Sequence, residues 1–197
     1  MSIEVLRYAG LKLMPWLNGG GVTREIVRMA SAKHPDDFDW RVSIADVVHD
    51  GPFSRLPGID RILVLCDGGR MILDIDGLTK ELTRARPFIF AGESTVTCEV
   101  PDGPTQDLNV MTRRGRCSVK LEIFELLGST TQPIKPSGPH LLIVINGDVG
   151  VSDATSSEQR RLQRFDSIYI ENEAQVVVDG AGMVASISID PVVVTPT

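Results

Sequence analysis

Short apolar runs closed by Gly, Pro, Asp or Asn recur along the chain: WRVSIADV, RILVLC, MILDI, PFIF, STVTCEV, DLNVM, SVKLEIFEL, HLLIVI, SIYI, AQVVV and VASISI. They are rich in Val and Ile and too short for helices. They therefore predict an all-β fold of antiparallel strands arranged as sandwiches or barrels. No stretch of a dozen residues carries the 3.6-residue recurrence of an amphipathic helix. The segment from Ser156 to Phe165 is the one place where a helical turn is expected.

Within three early strands, alternation separates two kinds of face. Thr23, Glu25 and Val27 share one side of their strand, with Val22, Arg24 and Ile26 on the other. In Phe38–Ala45, Phe38, Trp40, Val42 and Ile44 oppose Asp39, Arg41, Ser43 and Ala45. In Asp107–Met111, Asp107, Asn109 and Met111 oppose Leu108 and Val110. The apolar sides must cover a core. The hydrophilic sides face either bulk water or a shared polar hollow, and periodicity does not choose between them.

The stretch MPWLNGGGVTREI, Met14 to Ile26, leads into the first of these strands. Three consecutive glycines permit positive φ and close backbone approach. A phosphate-cradling loop needs G-x-x-x-x-G-K-[ST] between a strand and a helix. Here no Lys-Ser/Thr follows, and the next residues alternate as a strand does. The glycine run is expected at the rim of another kind of site.

The chain also resembles itself. Ile62–Gly68 lines up with Leu141–Gly147 at an offset of 147 − 68 = 79, and Phe88–Phe90 lines up with Ser167–Tyr169 at the same offset. Val96–Val100 and Asp102-Gly103 resemble Gln175–Val178 and Asp179-Gly180, now at 180 − 103 = 77. Each copy reads as strand, Asp/Asn-Gly turn, strand, polar loop, strand, turn, strand. Such an internal period suggests a duplicated unit. The expected domains are residues 1–116, an N-terminal jelly roll holding the pocket, and residues 117–197, a degenerate second copy.

Composition narrows the partners. A chain of 197 residues can bury about 70% of its unfolded surface, so it needs no disulfide or metal to fold. The net charge of −6 argues against nucleic acid, whose phosphates need a surplus of Lys and Arg. The single dense basic cluster, Arg113-Arg114-Gly115-Arg116, reads as a solvated loop. Cys66, Cys98 and Cys117 are odd in number and lack C-x-x-C spacing, which fits a reducing cytoplasm. No signal-peptide pattern and no apolar run of about 20 residues is present. A cytoplasmic protein without membrane or nucleic-acid partners is expected.

The candidate chemistry follows from the hydrophilic faces. Arg41 offers a planar fork suited to a carboxylate. Asn18, Thr23, Ser43 and Asn109 supply neutral donors and acceptors, and Trp16 either caps a pocket or packs in a satellite core, the commoner place for a Trp. Glu25 is the one nearby carboxylate. Paired with Arg41 it holds the guanidinium in register, whereas unpaired and desolvated it would serve as a proton-transfer base. Pro52-Phe53-Ser54 and Pro57–Arg61 read as turn chemistry before a core strand, with Asp60 and Arg61 pointing oppositely. No Ser-His-Asp or Cys-His arrangement and no G-x-S-x-G is present.

MPWLNGGGVTREI, FDWRVSIADV, DGPFSRLPGIDRILVLCDGG, PFIFAGE and DLNVMTRRG, in this order, resemble the HutD/Ves family of bicupins. The resemblance covers about half the chain, and residues from about Ser129 onward add little. It implies two tandem RmlC-like jelly rolls. Leu17 departs from the pattern, which usually has a basic residue there. Metal-binding cupins use two His one residue apart, a following Glu and a third His. Only His34, His49 and His140 occur here, with no H-x-H, and they are expected on surface loops. No metal and no cofactor is expected.

The resemblance further implies a link to histidine utilisation, with a small carboxylate such as N-formylglutamate or urocanate as ligand and a sensing or flux-limiting role. The Ves branch is associated with stress responses. A metal-free isomerase or epimerase with Glu25 as base would need a Tyr or His acid, and only Tyr8 and Tyr169 are available among tyrosines. A structural or stress-related protein with a vestigial cavity is the third expectation. Cupins commonly pair through sheet edges, so a homodimer is compatible with the implied fold.

Overall fold

The structure is a computed structural model that describes residues 3–31, 37–153 and 159–192. Those residues form sixteen strands and no α-helix. In chain order they begin β1 (Ile3–Leu6), β2 (Leu13–Pro15), β3 (Gly21–Ala30), β4 (Phe38–Val47), β5 (Gly51–Pro52), β6 (Ile59–Gly68), β7 (Ile72–Ile75) and β8 (Leu78–Glu81). They continue with β9 (Phe88–Ala91), β10 (Val96–Glu99), β11 (Thr105–Arg113), β12 (Cys117–Ile134), β13 (His140–Asp153), β14 (Gln159–Leu162), β15 (Ser167–Ile170) and β16 (Val176–Pro191). A short 3-10 turn spans Tyr8–Gly10. No helix of the described residues is long and apolar enough to cross a membrane.

The chain divides into two compact units, Lys12–Cys117 with residues 192–197, and Met1–Leu11 with Ser118–Pro191. In the first, a six-stranded sheet ordered β2-β3-β4-β11-β6-β9 faces a four-stranded sheet ordered β5-β10-β7-β8. One buried cluster joins them: Leu63 and Leu65 from β6 meet Leu73 from β7 and Val96 and Cys98 from β10. The apolar faces foreseen on β4 and β11 are also buried, with Val42, Ile44, Leu108 and Val110 at most 1% exposed.

The second unit is a sheet ordered β1-β15-β13-β16-β12, with β14 on the free length of β13. Its core gathers Leu142, Val144, Val149, Ile168, Val176 and Val184. Chain order groups residues 1–11 with the first half, yet Ile3–Leu6 pair with Ser167–Ile170. Beyond the ladder, Arg7 Nη1 donates to Asp166 Oδ2 and to the Arg161 carbonyl (both 2.7 Å), and the Tyr8 amide donates to Asp166 Oδ1 (3.0 Å). Tyr8 also packs edge-on against Phe165.

Two local expectations are corrected. Asn146-Gly147 and Asp179-Gly180 are not turns: β13 and β16 run through them, paired from His140 to Asp153. Gly147 and Gly180 have φ of +91° and +108°. A Cβ at either would overlap a carbonyl oxygen of the facing strand. These glycines bend two long paired strands instead of reversing them. The second correction is at Ser156–Phe165, where residues 159–162 form strand β14 rather than a helical turn and residues 156–158 lie outside the described residues.

The offset read from sequence reappears as register. Cys66 is skipped where β6 pairs β11, and Ile145 is skipped where β13 pairs β16. The two bulges are 145 − 66 = 79 residues apart, the same offset as before.

Candidate functional site

A cavity of about 530 Å³ opens in the first unit. Its polar wall is built by three neighbouring strands. Antiparallel register lines up Arg41, Met111 and Arg61 as one rung, then Ser43, Asn109 and Leu63, then Ala45, Asp107 and Leu65. Period-two alternation sends the side chains of all three rungs to the same side of the sheet. The hydrophilic faces of β4 and β11 therefore converge on a hollow.

The glycine motif forms the rim. Gly19 takes φ of +69°, and the Asn18 side-chain oxygen accepts from the Gly20 amide at 3.0 Å. The Trp16 amide donates to the Gly21 carbonyl (2.9 Å), closing the β2–β3 hairpin. A Cβ at Gly21 would overlap the Asp46 carbonyl oxygen. The result is a tight hairpin that presents Trp16, Leu17 and Asn18 to the cavity. Trp16 Nε1 donates to Thr23 Oγ1 at 2.8 Å, and its ring stands edge-on to Phe53. Leu17, in the same hairpin, is fully exposed at the mouth.

Of the residues proposed from sequence, Trp16, Asn18, Thr23, Arg41, Ser43 and Asn109 line this cavity. Glu25 is not in its wall. Its Oε2 accepts from Arg41 Nε at 2.7 Å, both side chains being partly buried. That is the pairing that fixes the guanidinium, not the lone base that an isomerase would need. Tyr8 and Tyr169 belong to the other unit.

Sequence reasoning missed the deepest groups. Arg61 is only 4% exposed, and its guanidinium carbon lies 5.1 Å from the Phe53 ring centroid and 5.0 Å from that of Phe90. Such stacking suits a planar, weakly hydrated cation. Burial lowers its pKa to about 10, Asp107 opposing and Arg41 adding to the effect. Asp107 is 1% exposed, and neither carboxyl oxygen has a hydrogen-bond partner. Burial pushes its pKa up to about 7 despite the attraction of Arg61, with Asp46 raising it further. Asn109 Oδ1 and Arg61 Nε are likewise buried without partners. The available signal was alternation itself: Asp107 shares its stripe with Asn109, and Arg61 points away from Asp60.

The histidines are placed differently from expectation. His49 is exposed, and His34 lies outside the described residues. His140 is buried, not on a surface loop, because it begins β13 between Ile170 and Ser188. Its Nε2 and Nδ1 face Ser186 Oγ (2.9 Å) and Ser188 Oγ (3.0 Å). Burial lowers its pKa to about 4, against a weaker pull from Asp190. By the offset, His140 stands where Arg61 does, and Ser188 where Met111 does. In the second unit these groups satisfy one another.

No described His reaches the large cavity, and its wall offers one carboxyl beside two guanidinium groups. Such a donor set does not fit a transition-metal cation. Nor is the basic cluster a free patch: Arg113 pairs with Asp37, and Arg114 with Asp60 and Glu93. The pairing with Arg114 holds the Glu93 carboxyl down at about 2.

Comparison with known proteins agrees with this frame. The chain is 34% identical over 177 residues to a 21.2 kDa Pseudomonas putida protein of the hutC 3′ region, covering 89% of this chain and 90% of that one. It is 41% identical over 125 residues to protein Ves of Citrobacter koseri, covering 61% of this chain and 64% of that protein. The match thus spans under two thirds of the Ves protein. HutD from Pseudomonas fluorescens SBW25 superposes with a TM-score of 0.83 at 28% identity, over 96% of this chain and 99% of that one. A cupin 2 conserved barrel domain protein from Leptotrichia buccalis shares the fold, with a TM-score of 0.60 at 10% identity over 94% and 99% of the two chains. The HutD family pattern itself matches residues 8–186, so the chain belongs to the HutD family.

Proposed function

We propose that this protein binds a small carboxylate in the cavity of its first unit, without metal, in connection with histidine utilisation. The observation that carries the reading is the rung Arg41–Met111–Arg61, which brings two guanidinium groups to one end of a cavity of about 530 Å³. A carboxylate entering there meets Arg41, already held by Glu25, and the stacked Arg61. Bidentate guanidinium–carboxylate pairing is strong and directional. The link to histidine utilisation is supported by family membership and by the Pseudomonas putida relative of the hutC 3′ region. N-formylglutamate and urocanate are the candidate ligands, in a sensing or flux-limiting role. The shared bulge register of the two units supports reading the fold as a duplicated cupin.

Thermal shift tests the proposal. Millimolar N-formylglutamate or urocanate should raise the melting temperature by several degrees, because saturation a hundredfold above Kd is worth about 2.7 kcal/mol. Arg41→Ala should abolish the shift. No shift with these or with glutamate, and indifference to Arg41→Ala, would refute carboxylate binding.

A further inference from the structure

We infer that the second unit carries a binding site of its own, for a small phosphoryl oxyanion held by Lys120, Lys135 and the serine hydroxyls around His140. The site is a cavity of about 280 Å³ whose wall lies wholly within Ser118–Pro191. It stands independently of the carboxylate reading of the first unit.

The internal offset maps one cavity onto the other. Arg41, Ser43, Ala45 and Arg61 line the first cavity. Their counterparts Lys120, Glu122, Phe124 and His140 line the second, at 120 − 41 = 79 and 140 − 61 = 79. Asn109 and Met111 correspond to Ser186 and Ser188 at the shorter offset, 188 − 111 = 77, and these too line their respective cavities. Strand order repeats the match: β12, β16 and β13 are neighbours, as β4, β11 and β6 are. The fold therefore builds the same hollow twice. A disused copy would be free to fill with apolar side chains, yet Phe124 alone is apolar among these six positions.

The chemistry of the second hollow differs from that of the first. A neutral imidazole has one N–H and one lone pair. Of the two serines that face the His140 nitrogens, one donates to the lone pair. The other accepts from the N–H and keeps its own hydroxyl hydrogen to give. Both serines are half-buried in the cavity wall. The ammonium groups of Lys120 and Lys135 and the Gln132 amide add further donors. Glu122 is the one carboxylate, and its Oε1 already accepts from Lys120 Nζ at 2.9 Å. Donors thus outnumber free acceptors, which selects an anion. Where the first cavity has planar guanidinium forks matched to a carboxylate, this one has ammonium point charges and rotatable hydroxyls. Such donors impose no plane and suit a tetrahedral phosphoryl group.

The test is NMR of the full-length protein at pH 7 and constant ionic strength, read on the ring signals of its three histidines. Inorganic phosphate should move the His140 signals along a saturating curve in the millimolar range and leave those of His34 and His49 in place. Lys120 and Lys135 are exposed, so Lys120→Gln and Lys135→Gln keep the fold. Each should weaken binding about fivefold through loss of a charge-assisted contact. Arg41→Ala, in the other unit, should leave the curve unchanged. Glycerol 1-phosphate in place of phosphate separates an ester from the free ion, and saturation by either supports the inference. Acetate binding as tightly as phosphate overturns the phosphoryl assignment. A linear drift shared by all three histidines, or a curve indifferent to both lysine variants, overturns the site itself.

Discussion

Replacing Asp107 by Asn removes a buried ionisable group while keeping its shape, and its effect on stability is predictable in sign. Asp107 is 1% exposed and unpartnered, and its pKa stands at about 7 against an ordinary 3.8. The charged groups acting on it are Arg61 from β6, which favours ionisation, and Asp46 from β4, which opposes it. Cys98 of β10 stays a neutral thiol throughout, its pKa raised to about 12 by burial and by Asp107. In the unfolded chain Asp107 loses its proton near pH 4, whereas in the fold it keeps the proton until about 7. The folded state therefore binds more protons in this window, and stability falls as pH rises from about 4 to about 7. At 1.36 kcal/mol per pH unit the full window is worth about 4 kcal/mol, or about 2–4 once local water entry is allowed. Asp107→Asn lacks the slope. The stability of the variant minus that of the wild type should climb by this amount between pH 4.5 and pH 8, about 10 °C in melting temperature. Taking the difference cancels every other titrating group. Urea denaturation at several pH values supplies the measurement. A difference that stays flat, or that turns against Asn at pH 8, would refute the assignment of Asp107 as a buried, unsatisfied acid.

Other outcomes follow from the same geometry. Arg61→Lys should cost about 1–3 kcal/mol in urea at pH 8, since an ammonium cannot stack flat between Phe53 and Phe90. Gly21→Ala should lose about 1–3 kcal/mol because its Cβ meets the Asp46 carbonyl, while Gly10→Ala, with nothing within 4 Å, should be near neutral. By NMR the His140 ring should titrate near pH 4, and the stability of its unit should fall as pH drops from 6.5 towards 4, where only the unfolded ring takes up a proton. An ordinary midpoint near 6.5 would contradict the buried Ser186–His140–Ser188 arrangement.

Much of the site was legible in residue order because a strand's two faces are set by covalent geometry. Arg41 with Ser43, and Asp107 with Asn109, could be placed on common stripes before any pairing was known. The same rule separated Asp60, which reaches Arg114, from Arg61, which turns inward. The Asn-Gly and Asp-Gly pairs misled for a physical reason. Positive φ at glycine suits both a hairpin turn and a bend in a continuous strand, and only the facing backbone at Ala181 and Asp148 selects the bend.

By itself the sequence determined most of the strands, their two-sidedness, the 79-residue offset and a glycine run that is no phosphate loop, since period-two sterics and glycine's freedom act over a few residues. The tertiary structure alone decided that the hydrophilic faces of β4 and β11 turn towards one hollow, that Ile3–Leu6 join β15, and that His140 is buried. It also decided that Arg61 and Asp107 lose their water. Ionisation depends on dielectric and on charges brought together by long-range strand pairing, neither of which neighbouring residues encode.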